Sequence, residues 1–400
     1  MWGASEARPT HTTSRRTAST GRVATHPGGP LVKTKRVDAV AAYLFLSPFL
    51  ILLGIFFVYA TGRAIYFSFT DYDLFRTPNW VGLRNYVALF NDALFLSALR
   101  NSILFAVIVT AVQTFLALVM AAVLNQKVRG IGFFRAAFYM PSITSSVVIT
   151  LIFLWMFQRR GLINYLNETL QRSLPILLAF VLIVIALQVA QVAWERKRSL
   201  PATWTDPALL VVSLLVAGGA TWLLVATGVL SPRDVPPVDF IWLQTRDTIP
   251  SGAPFWLAVP IPLAAIMIQN VFTTIPTFML MYLAALQDVP KSHYEAASID
   301  GASATQQFFS ITIPSVAPVT FLVLTLSMIG TLQMFDQVAI FGDAAPLRSV
   351  VTLAYFVYNR MFPGAQTPEV GFAAAGAMFL AVLTLAVVLL QRRLVRSEGY

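Results

Sequence analysis

Asp288-Val289-Pro290-Lys291-Ser292-His293-Tyr294-Glu295-Ala296-Ala297-Ser298-Ile299-Asp300-Gly301-Ala302, followed by Ser303 to Pro314, is a polar segment between two long apolar runs. Its spacing predicts a helix-turn-helix. Asp288 can cap a helix that has Pro290 in its first turn. Gly301 lacks a Cβ and permits a sharp bend. Asp300 can cap a second short helix from Ala302, and Pro314 marks the start of the next apolar run. Ala296 and Ala297 keep one side of the first helix slim, so another protein can approach closely. Lys291 stands four residues before Glu295, a spacing that allows a surface pair worth about 0.3–0.5 kcal/mol.

The rest of the chain sets this segment against a membrane. Of its 400 residues, 57% are hydrophobic and 12% charged, and the mean hydropathy is +0.71. A soluble domain carries about 25% charged residues, so the bilayer is the natural solvent here. Eight apolar runs have the length of a spanning helix, about 20 residues: 39–60, 102–124, 136–157, 174–193, 208–230, 257–286, 315–340 and 370–390. Pro48, Pro141 and Pro276 lie inside runs, where bundled helices tolerate breaks if neighbours or water satisfy the freed backbone groups. The net charge of +10 is spread in short clusters between these runs. That is the pattern of membrane topology, and no nucleic-acid partner is expected. The chain has no cysteine, and His11, His26 and His293 are scattered. No metal or other cofactor is expected.

Eight spans place both termini on one side, and the positive-inside rule chooses the cytoplasm. The inner segments then hold 17 of the 28 Lys and Arg residues, including all five lysines. Arg159 and Arg160 fall outside, against the trend. Residues 1–36, rich in Thr, Ser, Arg, Gly and Pro, read as a disordered cytoplasmic tail, with lipid contact through Lys33, Lys35 and Arg36 as the other reading. Nothing there resembles a cleavable signal peptide. The long external loop 62–98 is aromatic, and its rings serve either an interfacial belt or contact with an external partner.

Glu295-Ala296-Ala297, three residues, Gly301, nine residues, then Ile311-Thr312-Ile313-Pro314 resembles the EAA loop of ABC importer permeases. The usual ending is Ile-x-Leu-Pro, and Ile313 replaces that leucine. The stretch Tyr294–Ala302 is similar to the sugar-importer branch, the MalF/UgpA type. So are Ser68-Phe69-Thr70-Asp71-Tyr72, Val81-Gly82-Leu83-Arg84-Asn85-Tyr86, Tyr139-Met140-Pro141-Ser142, Gly161-Leu162-Ile163-Asn164 and Leu332-Gln333-Met334-Phe335-Asp336. The resemblance covers most of 40–393 in order. It implies an all-α, polytopic membrane protein with a MetI/MalF-like permease core of six helices. It also implies that the loop 287–314 is the coupling helix, docked in a groove of a cytoplasmic ATPase through Glu295, Ala296, Ala297, Asp300, Gly301, Ile311 and Pro314. The implied partners are a second permease subunit in a heterodimer, cytoplasmic ATP-binding subunits, an external solute-binding protein and membrane lipid. The implied location is the bacterial inner membrane. The sequence has neither a G-x-x-x-x-G-K-[ST] phosphate loop nor a nucleophile–base constellation. The chain is therefore not expected to be an enzyme, and ATP hydrolysis falls to a partner.

In the resembling permeases the segment after Gly161-Leu162-Ile163-Asn164 runs fairly directly into one like Asp239-Phe240-Ile241-Trp242-Leu243. Here 172–236 intervenes, with two apolar runs separated by Glu195-Arg196-Lys197-Arg198. The expected organisation is the tail 1–36, permease core 37–171, an inserted transmembrane hairpin 172–236, and core 237–396.

Polar groups inside spans are costly and usually face the bundle interior. Gln113, Gln269, Asn270, Thr273, Thr274, Gln333 and Asp336 are such groups. Gln269, Asn270, Phe272, Gln333 and Asp336 are the candidate substrate route, with helix–helix hydrogen bonding as the alternative role. Pro276, just after them, can break its helix locally. Gln333 and Asp336, three apart, are expected to share a helix face, with Phe272 and Phe335 offering rings to a sugar. The expected substrate is a sugar or oligosaccharide. The alternatives are glycerol-3-phosphate or another polyol derivative and, from another class, an ion-coupled secondary transporter.

Overall fold

The computed structural model describes residues 32–125, 130–198 and 206–396. Most of the 1–36 segment lies outside them. The chain divides into two units, Met1–Gly62 and Arg63–Tyr400. In the first, α1 (Val32–Leu53) already includes residues 32–36 and runs into a π-helical turn, Gly54–Tyr59; the boundary between the units falls inside the helix that follows, α2 (Ala60–Ser68). Tyr43, Phe45, Phe49, Phe56 and Tyr59 are all exposed in the first unit, as suits a helix whose solvent is hydrocarbon.

The second unit is a helical bundle. Its elements are α3 (Arg84–Asn91), α4 (Ala93–Leu124), α5 (Ile131–Ile143), α6 (Ser146–Met156), α7 (Leu162–Lys197) and α8 (Pro207–Ala226). A two-residue ribbon of β1 (Thr248–Ile249) and β2 (Val259–Pro260) leads into α9 (Ile261–Asp288). Then come α10 (Lys291–Ile299), α11 (Ala304–Gln307), α12 (Ile313–Ser315), α13 (Ala317–Leu332), α14 (Asp336–Phe341), α15 (Leu347–Val350), α16 (Leu353–Met361) and α17 (Val370–Arg396). Among the described residues, seven helical segments are long and apolar enough to cross a membrane, or eight if the bent pair α5–α6 is one crossing.

The core sits where α4, α9 and α13 pack together. Phe105 and Val109 of α4 meet Leu263 and Ile266 of α9 in one buried cluster. Ala117 and Ala121 meet Met279, Tyr282 and Val323 in another. Leu89, Phe95, Phe356 and Leu380 form a third, joining α3, α4, α16 and α17.

Two expected spans are interrupted. The run 136–157 is split into α5 and α6, bent by 94°. Thr144 is extended at the bend. Ser142 and Thr144 turn their hydroxyls onto the carbonyls of Tyr139 and Met140, and Pro141 supplies no N–H. Together they compete with the helix's own ladder. The run 315–340 breaks after Leu332, where Phe335 (φ −130°, ψ −54°) leaves helical geometry before α14. By contrast, α9 runs unbroken through Pro276.

The loop that follows α2 is a packed unit. Thr70 bridges Trp80, and the buried Asn85 amide donates to the carbonyls of Ser68 and Thr70 (3.0 and 2.8 Å). Tyr86 donates to Ser68 Oγ. The Asn79 backbone N–H donates to Asp71 Oδ1 and holds that carboxyl below the usual aspartate range. Rings pack on one another here, Phe67 on Tyr72 at 4.5 Å and Phe69 on Trp80 at 5.2 Å. Phe75 and Trp80 remain exposed.

The region of the expected hairpin is α7 and α8. α7 does not start near 174 but at Leu162, and it continues through Pro175 to Lys197. Gln188 Oε1 accepts from Ser213 Oγ (2.8 Å) and ties α7 to α8 inside the apolar zone. The chain returns to where it left: the Arg233 N–H donates to the Arg172 carbonyl (3.0 Å). Nearby, Asn164 donates to the carbonyls of Arg159 and Phe240 and accepts from Trp242 Nε1 (3.0 Å).

Candidate functional site

The polar loop forms two short helices at the end of α9. Gly301 has φ +81°, in the left-handed region that favours glycine, and it turns the chain between α10 and α11. The caps differ from the sequence expectation. Asp288 closes α9, and Pro290 stands before α10 without a side-chain cap. Asp300 is the C-terminal neighbour of α10, and its N–H donates to the Ala296 carbonyl. The second helix begins at Ala304 and is capped by Ser303 in a reciprocal box with Gln306. Serine three residues before glutamine satisfies two orphan donors at once, and Asp300, one position before Gly301's turn, has no such geometry. Ile311 lies in a π-helical stretch, Phe308–Thr312, and Pro314 in α12, three residues before α13 starts.

The loop is braced from behind. Tyr294 Oη and Thr312 Oγ1 are 2.9 Å apart, so α10 is bonded to the start of the next span. Gln307 Nε2 donates to Ser298 Oγ and to the Ala302 carbonyl, both at 3.0 Å. Glu295 and Ala296 face outward, and Ala297 is half-buried. Lys291 and Glu295 form no ion pair. Ile299 is 87% exposed at the end of α10. An apolar side chain so exposed among polar neighbours suits a partner's surface, a feature visible in the sequence only as an isolated Ile.

The candidate route residues separate into two groups. Gln269 and Asn270 lie in α9 at its contact with α6 and α14. Gln269, 1% exposed, donates to Thr150 Oγ1 (2.6 Å). Asn270 donates to Gln337 Oε1 (3.2 Å). Gln269 Oε1 and Asn270 Oδ1 are buried acceptors that receive no hydrogen bond. Phe272 is half-exposed with its ring 5.5 Å from that of Phe153. Gln333 and Asp336 do not share a helix face, because the break at Phe335 lies between them. Both are exposed at the ends of α13 and α14. Phe335 packs instead with Tyr355 and Tyr358. The residue that meets the Asn270 amide is Gln337, one position beyond Asp336, and hydropathy gives it no signal.

Gln113, Thr274, Ser327, Thr110 and Thr331 form a separate chain. Thr274 donates to Gln113 Oε1, Gln113 Nε2 donates to Ser327 Oγ, and Ser327 donates to Thr110 Oγ1 (2.9 Å). Thr110 and Thr331 are 3.3 Å apart. This chain stitches α4, α9 and α13 together. Helix–helix bonding is what it does, the alternative role weighed for such groups.

A family model described as binding-protein-dependent transport system inner membrane component matches residues 113–399. The chain belongs to that family. This permease is 28% identical over 357 residues to the lactose transport system permease protein LacF of Rhizobium radiobacter, covering 88% of this chain and 93% of the relative. It is 26% identical over 364 residues to the sn-glycerol-3-phosphate transport system permease protein UgpA of Agrobacterium fabrum, covering 90% and 96%. Its fold matches a chain in the crystal structure of a bacterial ABC transporter involved in the import of the acidic polysaccharide alginate. There the TM-score is 0.62 at 17% identity, over 92% of this chain and 99% of that one. The permease is thus an all-α, multi-pass membrane component of an ABC importer, as the EAA pattern implied. The ion-coupled secondary transporter is set aside.

Proposed function

We propose that the permease carries a sugar or oligosaccharide across the bacterial inner membrane as one half of a heterodimer with a second permease. A pair of ATP-binding subunits docks on α10 from the cytoplasm, and an external solute-binding protein delivers the substrate. Both termini are cytoplasmic. The observation that carries the coupling role is the exposed, slim face of α10 at Glu295, Ala296 and Ile299, braced to the next span through Tyr294 and Thr312. Such a braced element moves as a rigid body and can pass a partner's movement to the bundle.

The substrate class is supported by the unpaired acceptors of Gln269 and Asn270. A buried acceptor left without a donor costs about 1–3 kcal/mol, and sugar hydroxyls are donors. The bonding partners of this set, Thr150 and Gln337, are neutral, which favours a neutral sugar over a phosphorylated polyol at this point. Relatives named for lactose and for glycerol-3-phosphate span the two choices. Asn270→Leu is expected to lower saccharide uptake at least tenfold in vesicles holding the assembled transporter, with assembly unchanged. Loss of assembly would instead make Asn270 a packing residue.

The α7–α8 hairpin is read as a peripheral excursion from the permease core. Arg172 and Arg233 are already joined, and Asn164 already holds Trp242, so the core closes beneath the hairpin. Joining Arg172 to Arg233 through a short Gly-Ser linker, with 173–232 removed, should leave uptake within about threefold of the intact chain. The returning ends need only a loop closure, whose cost rises slowly with length. Complete loss of uptake in a correctly assembled deletion would make the hairpin part of the transport cycle.

A further inference from the structure

Three arginines converge where no carboxylate waits for them. A cavity of about 680 Å3 opens at the α4 end of the bundle, lined by Arg100, Arg246, Arg348, Thr248, Phe255 and Pro260. It lies at the opposite end of α9 from α10, because Pro260 precedes α9's first residue and α10 follows its last. Arg100 is 8% exposed. Its Nε and Nη2 donate to Asn101 Oδ1 (3.1 and 2.8 Å), and the guanidinium lies 4.4 Å from the Phe255 ring centre. Among the described residues, none of the three arginines has an ion-pair partner. The adjacent Asp247 is bonded to Thr245 instead. A buried cation without a counter-ion is strongly unfavourable, and the guanidinium fork matches the oxygens of a phosphate.

A second feature adjoins the first. The ribbon that lends Thr248 and Pro260 to the cationic cavity lends Ile249 and Val259 to an apolar groove of about 350 Å3 between α4 and α9. Val109 and Val112 form one wall, and Met267 and Val271 the other. Along α4, the cavity ends at Arg100 and the groove begins at Ile108, eight residues or about 12 Å further into the bundle. Beside the cavity, Phe255, Trp256 and Leu257 are exposed. Exposed aromatic side chains next to basic ones mark the headgroup level of a bilayer.

We propose that the arginine cavity and the apolar groove form one site for an anionic phospholipid. Its phosphate rests on Arg100, Arg246 and Arg348, and an acyl chain lies in the groove between α4 and α9. A free anion has no use for the groove, whereas a phospholipid fills both parts at once. The site is separate from the Gln269–Asn270 route and stands whatever solute the permease carries.

The test uses the full-length permease, purified in uncharged detergent, and its thermal unfolding with added phosphatidylglycerol, phosphatidylcholine or glycerol 1-phosphate. Phosphatidylglycerol should raise the unfolding temperature, and the other two should not. Arg246→Gln and Arg348→Gln alter exposed side chains and should each weaken the phosphatidylglycerol response about fivefold. Val112→Trp, at a position already 40% exposed, fills the groove and should weaken it too. Equal responses to the two lipids, or an undiminished response in the Arg246→Gln/Arg348→Gln double variant, would overturn the site. A full response to glycerol 1-phosphate would make it a free-anion site. Protection of a Val112→Cys thiol by a second permease subunit in membranes would make the groove a subunit interface.

Discussion

Gly301→Val abolishes uptake while leaving the permease inserted in the membrane. Gly301 sits at φ +81° with open space around its α-carbon, so the valine meets no clash. The whole effect comes from the backbone, where a β-branched residue at positive φ is a genuine outlier. Strain of this kind costs about 1–3 kcal/mol. The α10–α11 turn relieves it by re-aiming α10, and each 1.4 kcal/mol changes the population of the docked geometry about tenfold. The transmembrane helices lie outside the strained turn. Expected results are normal membrane content, normal basal ATPase in the assembled complex, and no substrate-stimulated ATPase. Gly301→Asn, which tolerates the left-handed region better, should retain most uptake. Glu295→Lys reverses an exposed charge at the proposed contact and should give the same uncoupled state without strain. Normal uptake by both Gly301→Val and Glu295→Lys would remove the coupling role from this loop.

Gly371→Val is expected to prevent accumulation of folded permease. The first turn of α17 presses against the loop after α2. A Cβ added at Gly371 would stand 2.0 Å from the Thr70 carbonyl oxygen and 3.1 Å from that of Phe67. Those are backbone atoms, the Thr70 carbonyl held by Asn85 and the Phe67 carbonyl by the Thr70 N–H and hydroxyl, and the Gly371 N–H itself donates to the Tyr72 carbonyl (2.9 Å). Relief therefore requires separating α17 from the loop and losing that bond. Overpacking of a fixed backbone costs about 1–3 kcal/mol and occasionally more. Gly376→Ala is the control, since its added Cβ comes no closer than 3.3 Å to a side-chain methyl of Val357. Size-exclusion chromatography and thermal unfolding in detergent distinguish the two. A Gly371→Val permease as stable as the Gly376→Ala one would show that the loop and α17 do not meet as described.

The helical, membrane-spanning character was legible because hydropathy needs only length and composition. The helix-turn-helix around Gly301 was legible because glycine at a left-handed turn carries its geometry in its residue type; the coupling role proposed for it came from the EAA resemblance. Local breaks were harder. The 94° bend between α5 and α6 depends on hydroxyls at Ser142 and Thr144 choosing nearby carbonyls, and a hydropathy window reads those residues as mildly polar members of one run. The interruption at Phe335 has neither proline nor glycine to announce it. It moves Asp336 off the face of Gln333 and brings Gln337 to Asn270. Capping was misread at Asp300, since an acidic residue before a short helix looks like a cap until Ser303 and Gln306 are seen to satisfy each other. Asn164 shows the reverse case. Its motif was recognised from sequence, and the structure supplies the reason, since it bonds the two core segments that flank α7 and α8.

The central claim is that α10 lies in the cytoplasm against an ATP-binding subunit. The chain has no cysteine of its own, so one introduced thiol reports without background. Ala296→Cys, on the exposed slim face of α10, should resist an impermeant thiol reagent in intact cells. In membranes, a short cross-linker should join it to a subunit that binds ATP, and uptake should fall as the cross-link forms. Labelling of Ala296→Cys from outside, or a transporting complex in which no ATP-binding subunit can be cross-linked to it, would contradict the account.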